Sequence, residues 1–369
     1  MTVKMVSRYQ QDAMMRKPVA TKATKKSRNE NPVLTKGILS LIDKISIPNA
    51  TFLRGQYCTD LIHFEQQDEW SCGYRNLQML LSSILPNIPT THSLFKENGN
   101  HKVIPNIIEL QRLFEMSWRE GFDRDGARHF NYRIQGSRAQ IGAVEAASLL
   151  SFLSIDSVVV QFEKSRRHEW NFAAQFIWNY FSKPCQCACL DDFESFDMDP
   201  IESASDIVQE VLYNIQENGN YCAIDKGSCC EQSDNESWTS FGSKCQCSRP
   251  PLYLQWDGHS ATIVGVEKTV RKRGFQGNVK SNQNYYADEM SYNMLVYDPN
   301  KEVRSLKAEL KIAMKMKKFD SNIIRSLRMP LEEIKGNRCQ IIICSMRNVT
   351  YADRQRCRHT INSITPSIE

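Results

Sequence analysis

No stretch of eighteen or more apolar residues occurs in this 369-residue chain, so no membrane span is expected. Its first residues lack the apolar core of a secretory signal, so export is not expected either. Neither sign of charge dominates: 47 Lys and Arg against 42 Asp and Glu leave a formal net charge of +5. That balance is too mild to argue for nucleic acid by itself, since the basic residues are concentrated rather than spread as a stripe. Without a secretory signal, the 13 cysteines are expected in a reducing compartment, serving metal binding, catalysis or packing rather than disulfides. Eight of them (Cys185, Cys187, Cys189, Cys222, Cys229, Cys230, Cys245 and Cys247) crowd one segment. That segment contains no histidine, and its Cys-x-Cys-x-Cys and Cys-Cys spacings are not the Cys-x-x-Cys of common zinc sites. A structural zinc site and a loop of unbound thiols both stay open there. The length allows one large domain or two ordinary ones.

What is present centres on Glu69-Trp70-Ser71-Cys72-Gly73-Tyr74-Arg75-Asn76-Leu77-Gln78-Met79. Leu77, Leu80, Leu81 and Ile84 recur at helical spacing and predict an amphipathic helix with one buried face, ended by Pro86. Cys72 then sits at the positive end of the helix dipole, beside unpaired backbone N–H groups that favour a thiolate. A cysteine that merely packs in the core is the bland alternative, and partners elsewhere in the chain decide between them.

Residues 1 to 32 are polar and basic, with Lys22, Lys25, Lys26 and Arg28 close together. They read as a solvated tail or as a nuclear-localisation or nucleic-acid patch. Leu34 to Ile47 has the spacing of a short amphipathic helix, and Gln56 to Phe64 the composition of a strand. Further helices are expected over 105–120, 142–152 and 170–181, with a polar loop from Gly121 through Gly136 and a buried strand over 157–162. Ile207 to Ile215 suggests a helix between the halves of the cysteine-rich insertion. Leu252 to Trp256 and His259 to Val266 read as a hairpin around Asp257-Gly258, a strong turn dipeptide. Met294 to Tyr297 is a third strand, ending in Asp298-Pro299. A lysine-rich helical stretch from Lys301 to Met329, a last buried strand from Cys339 to Cys344, and a polar tail complete the chain. Helices first and strands last predict an α+β layout with a mostly antiparallel sheet packed on helices.

Amide cleavage needs a nucleophile, a base, a group that orients the base, and donors for the oxyanion. Cys72 is the nucleophile candidate. Among 7 histidines, His259 is the best base candidate, because it starts a strand just after a turn. Asp298, at the end of a neighbouring strand, can set its tautomer and stabilise its imidazolium. Gln255, on the paired strand, can offer its side-chain amide to the oxyanion. Each residue alone is an ordinary structural feature; together, in the order Cys, His, Asp, they form a papain-like constellation.

The stretch from Trp70 to Ser83 resembles the nucleophile helix of the zinc finger-containing ubiquitin peptidase family. Pro250 to Ser260 resembles its histidine hairpin, and Leu295-Val296-Tyr297-Asp298-Pro299 its aspartate strand. Glu120-Gly121-Phe122-Asp123 and Ile141-Gly142-Ala143-Val144-Glu145 match between them. The resemblance spans about residues 34 to 350 and implies a papain-like fold in which a nucleophile helix packs on a mostly antiparallel sheet. It implies a cysteine-type deubiquitinase acting after the Gly-Gly tail of ubiquitin, on lysine-sixty-three-linked chains. Cys72, His259 and Asp298 would form its triad, with Gln255 supporting the oxyanion. Asp123 and Glu145 would meet the arginines of the ubiquitin tail.

The expected organisation is a tail over 1–32, a peptidase domain over 33–350 with a cysteine-rich insertion at about 183–249, and a polar tail over 351–369. A monomer without cofactor or catalytic metal is expected, in cytoplasm and nucleus, with ubiquitin and polyubiquitin as partners and no membrane or nucleic acid. The sequence carries no Cys-x-x-Cys…His zinc fingers, Ser71 replaces the glycine usual before the cysteine, and Gln140 replaces an aromatic residue. The sister proteases for ubiquitin-fold modifier place Asp-Pro-His in one motif; here Asn300 follows Asp298-Pro299. That order favours the ubiquitin branch over the sister branch and, with a full triad, over a silent ubiquitin-binding module.

Overall fold

A computed structural model describes residues 33–42, 50–58, 61–87, 104–164, 170–182, 202–218, 249–271, 289–316, 321–358 and 361–366. The basic N-terminal segment and all eight clustered cysteines lie outside these residues.

The chain enters through β1 (Leu34–Thr35), α1 (Leu39–Ile42), β2 (Ala50–Arg54) and β3 (His63–Phe64). Helices α2 (Cys72–Ile84), α3 (Ile107–Arg119), α4 (Arg124–His129) and α5 (Ala143–Phe152) follow, then β4 (Ile155–Glu163) and helices α6 (Asn171–Phe181) and α7 (Ala204–Asn218). The last part holds β5 (Leu252–Trp256), β6 (His259–Arg271), β7 (Glu289–Tyr297), α8 (Arg304–Met316), β8 (Arg328–Pro330), β9 (Arg338–Asn348), α9 (Tyr351–Cys357) and β10 (Ser363–Ile364). The main sheet runs β10-β4-β9-β5-β6-β7-β8, with β2 also paired to β6. Every pairing in it is antiparallel except β10 on β4. This is the α+β layout expected from the sequence, with helices packed on a mostly antiparallel sheet.

Period-2 alternation decides which helices cover which face. Leu252, Leu254 and Trp256 of β5 join the core made with α6 and α7, whereas Tyr253 joins the core of α2, α3 and α5. The sheet is therefore covered on both faces, and α7 is part of the core rather than an external insertion. The nucleophile helix is not amphipathic in its surroundings. All 13 of its residues are buried, polar ones included, because the sheet, α3, α5 and the third core around Met79 enclose it. A helix buried all round must satisfy its polar side chains internally.

Several local expectations change. The helix expected over Leu34 to Ile47 shrinks to Leu39–Ile42 among the described residues, because Gly37 (φ +72°) turns the chain and Leu34–Thr35 pairs with His63–Phe64. The strand expected over Gln56 to Phe64 is a 3-10 turn at Gln56–Cys58 followed by the short β3. The loop after Gly121 contains α4. The helix expected to run to Met329 ends at Met316, and buried Met329 lies in β8 beside β7. The expected C-terminal tail contributes α9 and β10 to the fold.

Candidate active site

Cys72 is the first residue of α2 and is 8% exposed. Ser71 holds the N-cap position without bonding the first-turn amides. Its hydroxyl donates instead to Asp68 Oδ2 at 2.8 Å, while Asp68 Oδ1 accepts from the backbone N–H groups of Trp70 (2.9 Å) and Ser71 (2.7 Å). A side-chain cap contributes about 1 kcal/mol. Forgoing it leaves the amides at the start of α2 beside Cys72, where they favour a thiolate and can donate to an oxyanion. Ser71 therefore serves the turn that Asp68 organises.

The hairpin delivers the base. Gly258 takes the left-handed turn (φ +78°), and β6 starts at the next residue, His259. Antiparallel pairing sets Thr262 of β6 opposite Tyr297 of β7, which carries Asp298 back to the start of β6. His259 Nε2 lies 2.8 Å from Asp298 Oδ1, and the edge of the imidazole meets the Trp256 ring at 5.0 Å between centroids. Asp298 also accepts from the Asn300 N–H at 2.9 Å. With Nε2 given to the aspartate, Nδ1 is the nitrogen left for the Cys72 sulfur, which helps to raise the imidazole's proton affinity.

Electrostatics follow from this packing. Burial opposes a charge on Cys72, but the hydrogen bond and charge of His259, helped by Ser260 and the Gly73 N–H, hold the thiol below its ordinary range. Burial also opposes the imidazolium, yet Asp298 and Cys72 push His259 up to about 9. Asp298 stays below the usual carboxylate range because His259 outweighs its burial. These shifts favour a thiolate–imidazolium pair braced by a carboxylate. By contrast, Cys339 and Cys344 are buried in β9 away from any such partner, and burial pushes both thiols up. They are core residues.

Gln255 stands differently from its expected role. Its amide donates to the carbonyls of Trp256 (3.0 Å) and His259 (2.9 Å), and its Oε1 accepts from the Tyr253 hydroxyl at 3.2 Å. Both amide hydrogens are used inside the hairpin, so in this arrangement Gln255 latches the turn that carries His259. Asp123 and Glu145 are 2% and 1% exposed. Asp123, in the left-handed region (φ +44°), caps α4 through Gly126 N–H at 3.1 Å. Glu145 accepts from Gly142 N–H at 2.9 Å at the start of α5. Its carboxylate acts electrostatically on Tyr74 and Tyr253, which flank the start of α2.

Two positioning elements escaped the sequence reading. Asp68 is one. The other is His63, fully buried, whose Nε2–H donates to the Asp298 carbonyl at 3.0 Å. Two residues beyond β3, Gln66 N–H donates to the Pro299 carbonyl at 2.7 Å. Residues 63–71 thus grip the backbone of the aspartate at one end and the nucleophile turn at the other. Burial pushes His63 down, so it stays neutral beside the triad. The start of α2 packs closely on residues 139–142. A Cβ placed on Gly73 would stand 2.7 Å from both Ile141 Cγ1 and Ile141 O, so only glycine lets residues 139–142 lie against α2. Among the described residues, no group of three His, Cys, Asp or Glu is arranged to hold a metal ion, and no helix is long and apolar enough to cross a membrane.

Residues 50–322 match the family described as peptidase family C78. The chain is 27% identical over 315 residues to the zinc finger-containing ubiquitin peptidase 1 of Homo sapiens, and 26% identical over 315 residues to that of Rattus norvegicus. These alignments cover 84% of this chain and 40% of each relative, so the chain matches less than half of their length. It is 32% identical over 94 residues to the ubiquitin carboxyl-terminal hydrolase mug105 of Schizosaccharomyces pombe, covering 26% of this chain and 36% of that protein. A solved structure, of UfSP from C. elegans, covers 89% of this chain and 40% of that one at 13% identity and a TM-score of 0.35, too distant to add to the account.

Proposed function

Because the chain belongs to peptidase family C78, we propose that it is a cysteine peptidase that hydrolyses the isopeptide bond after the Gly-Gly tail of ubiquitin, in polyubiquitin chains. The observation that carries the reading is the Cys72–His259–Asp298 arrangement, with its 2.8 Å His259–Asp298 bond at the foot of an uncapped helix. The Cys72 thiolate attacks the carbonyl carbon of the terminal glycine, and the backbone amides at the start of α2 stabilise the oxyanion. His259, protonated, gives its proton to the departing lysine amine; neutral again, it draws a proton from the water that releases the acyl group. Asp298 holds the imidazole and its charge throughout.

Asp123 and Glu145 are assigned to the basic residues that precede Gly-Gly. A preference for lysine-sixty-three linkage belongs to the same reading, as does action in nucleus and cytoplasm, which the cluster of Lys22, Lys25, Lys26 and Arg28 supports. The test is cleavage of the eight diubiquitin linkages and of a fluorogenic conjugate of ubiquitin-fold modifier. Turnover of ubiquitin substrates with the lysine-sixty-three chain first, abolished in Cys72→Ala, is expected. Asp123→Asn and Glu145→Gln should raise KM for ubiquitin about tenfold, the weight of one charge-assisted contact. Turnover of the ubiquitin-fold-modifier conjugate alone would move the chain to the sister specificity.

A further inference from the structure

Asn76 lies one helical turn beyond Cys72, on the same face of α2. It is 0% exposed, in a place where an amide without partners would be strongly destabilising. Its Nδ2 donates to the Cys72 carbonyl and to Ser260 Oγ, both at 2.9 Å. Its Oδ1 accepts from Thr262 Oγ1 at 2.8 Å. The orientation of this amide follows from chemistry alone. The Cys72 carbonyl can only accept, so the nitrogen must face it, and the oxygen must then face Thr262, which donates. Ser260 and Thr262 are two residues apart and project from one face of β6 toward α2. Ser260 is also the residue next to His259. The Asn76 amide therefore spans from the backbone of the nucleophile to the strand that carries the base.

This fixes what Ser260 does. Its oxygen accepts the Asn76 hydrogen, which leaves its own proton to be given away. The Cys72 thiol and the Tyr253 hydroxyl are the two titrating groups on which Ser260 acts, favouring the charged form of each. A charged acceptor makes the stronger bond, so the proton goes to the thiolate. We propose that Asn76 is a positioning residue that acts through Ser260, clamping α2 to β6 and turning the Ser260 hydroxyl onto the Cys72 sulfur. The inference rests on Cys72 as the nucleophile but is independent of which modifier is cleaved.

The test is the pH dependence of Cys72 alkylation by iodoacetamide, followed by peptide mass spectrometry in the folded full chain. No ubiquitin is needed, so substrate identity does not enter. In the parent, Cys72 should alkylate with a midpoint below that of an ordinary thiol. Ser260→Ala is expected to raise this midpoint by about one pH unit, the weight of one hydrogen bond to a charged group. Asn76→Asp should raise it further, because the new carboxylate would take the Ser260 proton and repel the thiolate. Thr262→Val, which loosens the amide, should shift it less. A midpoint unmoved in both Ser260→Ala and Asn76→Asp would overturn the proposal and leave Asn76 a packing residue. If Asn76→Asp fails to fold, Ser260→Ala, which removes a single hydroxyl, decides alone. An ordinary midpoint in the parent would overturn the nucleophile reading itself, and with it this proposal.

Discussion

At the residue scale, the ionisation of His259 governs the reaction. Its pKa is raised to about 9 by Asp298 and Cys72, while Cys72 is lowered below the thiol range. Both shifts favour the thiolate–imidazolium pair below the pH at which His259 loses its proton. The kcat/KM for a ubiquitin substrate should rise as Cys72 ionises, below the pH at which an ordinary thiol would, and fall as His259 loses its proton near pH 9. A rate that kept climbing past pH 10 would contradict this. His63 carries a second, separable dependence. Its folded pKa lies below the ordinary value of 6.5, so the unfolded chain binds the extra proton and stability is lost as pH falls below 6.5. His63→Gln can keep a side-chain N–H for the Asp298 carbonyl yet cannot titrate. The stability advantage of the parent over this variant, from urea unfolding, should shrink by up to about 1.4 kcal/mol per pH unit below 6.5. A gap that is the same at pH 5 and pH 7 would remove His63 from this role.

At the scale of elements, the site depends on a short hairpin. Gly258→Val forces a β-branched residue into the left-handed region at roughly 1–2 kcal/mol and disturbs the residue that starts β6. The expectation is a folded protein whose kcat falls by about ten- to a hundredfold, because His259 moves from line with Cys72. Unchanged turnover would show that the hairpin does not set the base. This hairpin, α2 and the strand before Asp298 were legible in the sequence because their signals are local: a turn dipeptide, helical spacing, and a short apolar run closed by Asp298-Pro299. The expected roles of neighbours were less legible. Asn76 meets Ser260 across 184 positions of sequence, and His63 meets Asp298 across 235, and no periodicity reports such contacts. Gln255 looked free to donate because a sequence does not reveal that the hairpin's own carbonyls take both its hydrogens.

At the scale of the whole molecule, the last described residues brace the proposed substrate side. Arg354 donates to Glu120 at 2.8 Å and to the Phe152 carbonyl at 3.2 Å, and it lies 5.3 Å over the rings of both Phe122 and Phe152. Phe122 precedes Asp123, so α9 backs the loop assigned to the ubiquitin tail. Beyond it, β10 extends the sheet edge in parallel with β4, and the burial of Ile364 contributes about 2 kcal/mol. A chain truncated before Tyr351 should therefore melt at a lower temperature and show a larger rise in KM than fall in kcat. Equal melting temperatures would make this segment an appendage, as its polar composition suggested. The central claim concerns Cys72 itself. The most direct measurement is the intact mass of the protein after incubation with ubiquitin bearing a thiol-reactive group at its C-terminus, beside the Cys72→Ala variant. One ubiquitin added per chain, mapped to Cys72 and absent from the variant, is the result expected. A folded, unmodified parent, or an adduct that persists in the variant, would contradict the account.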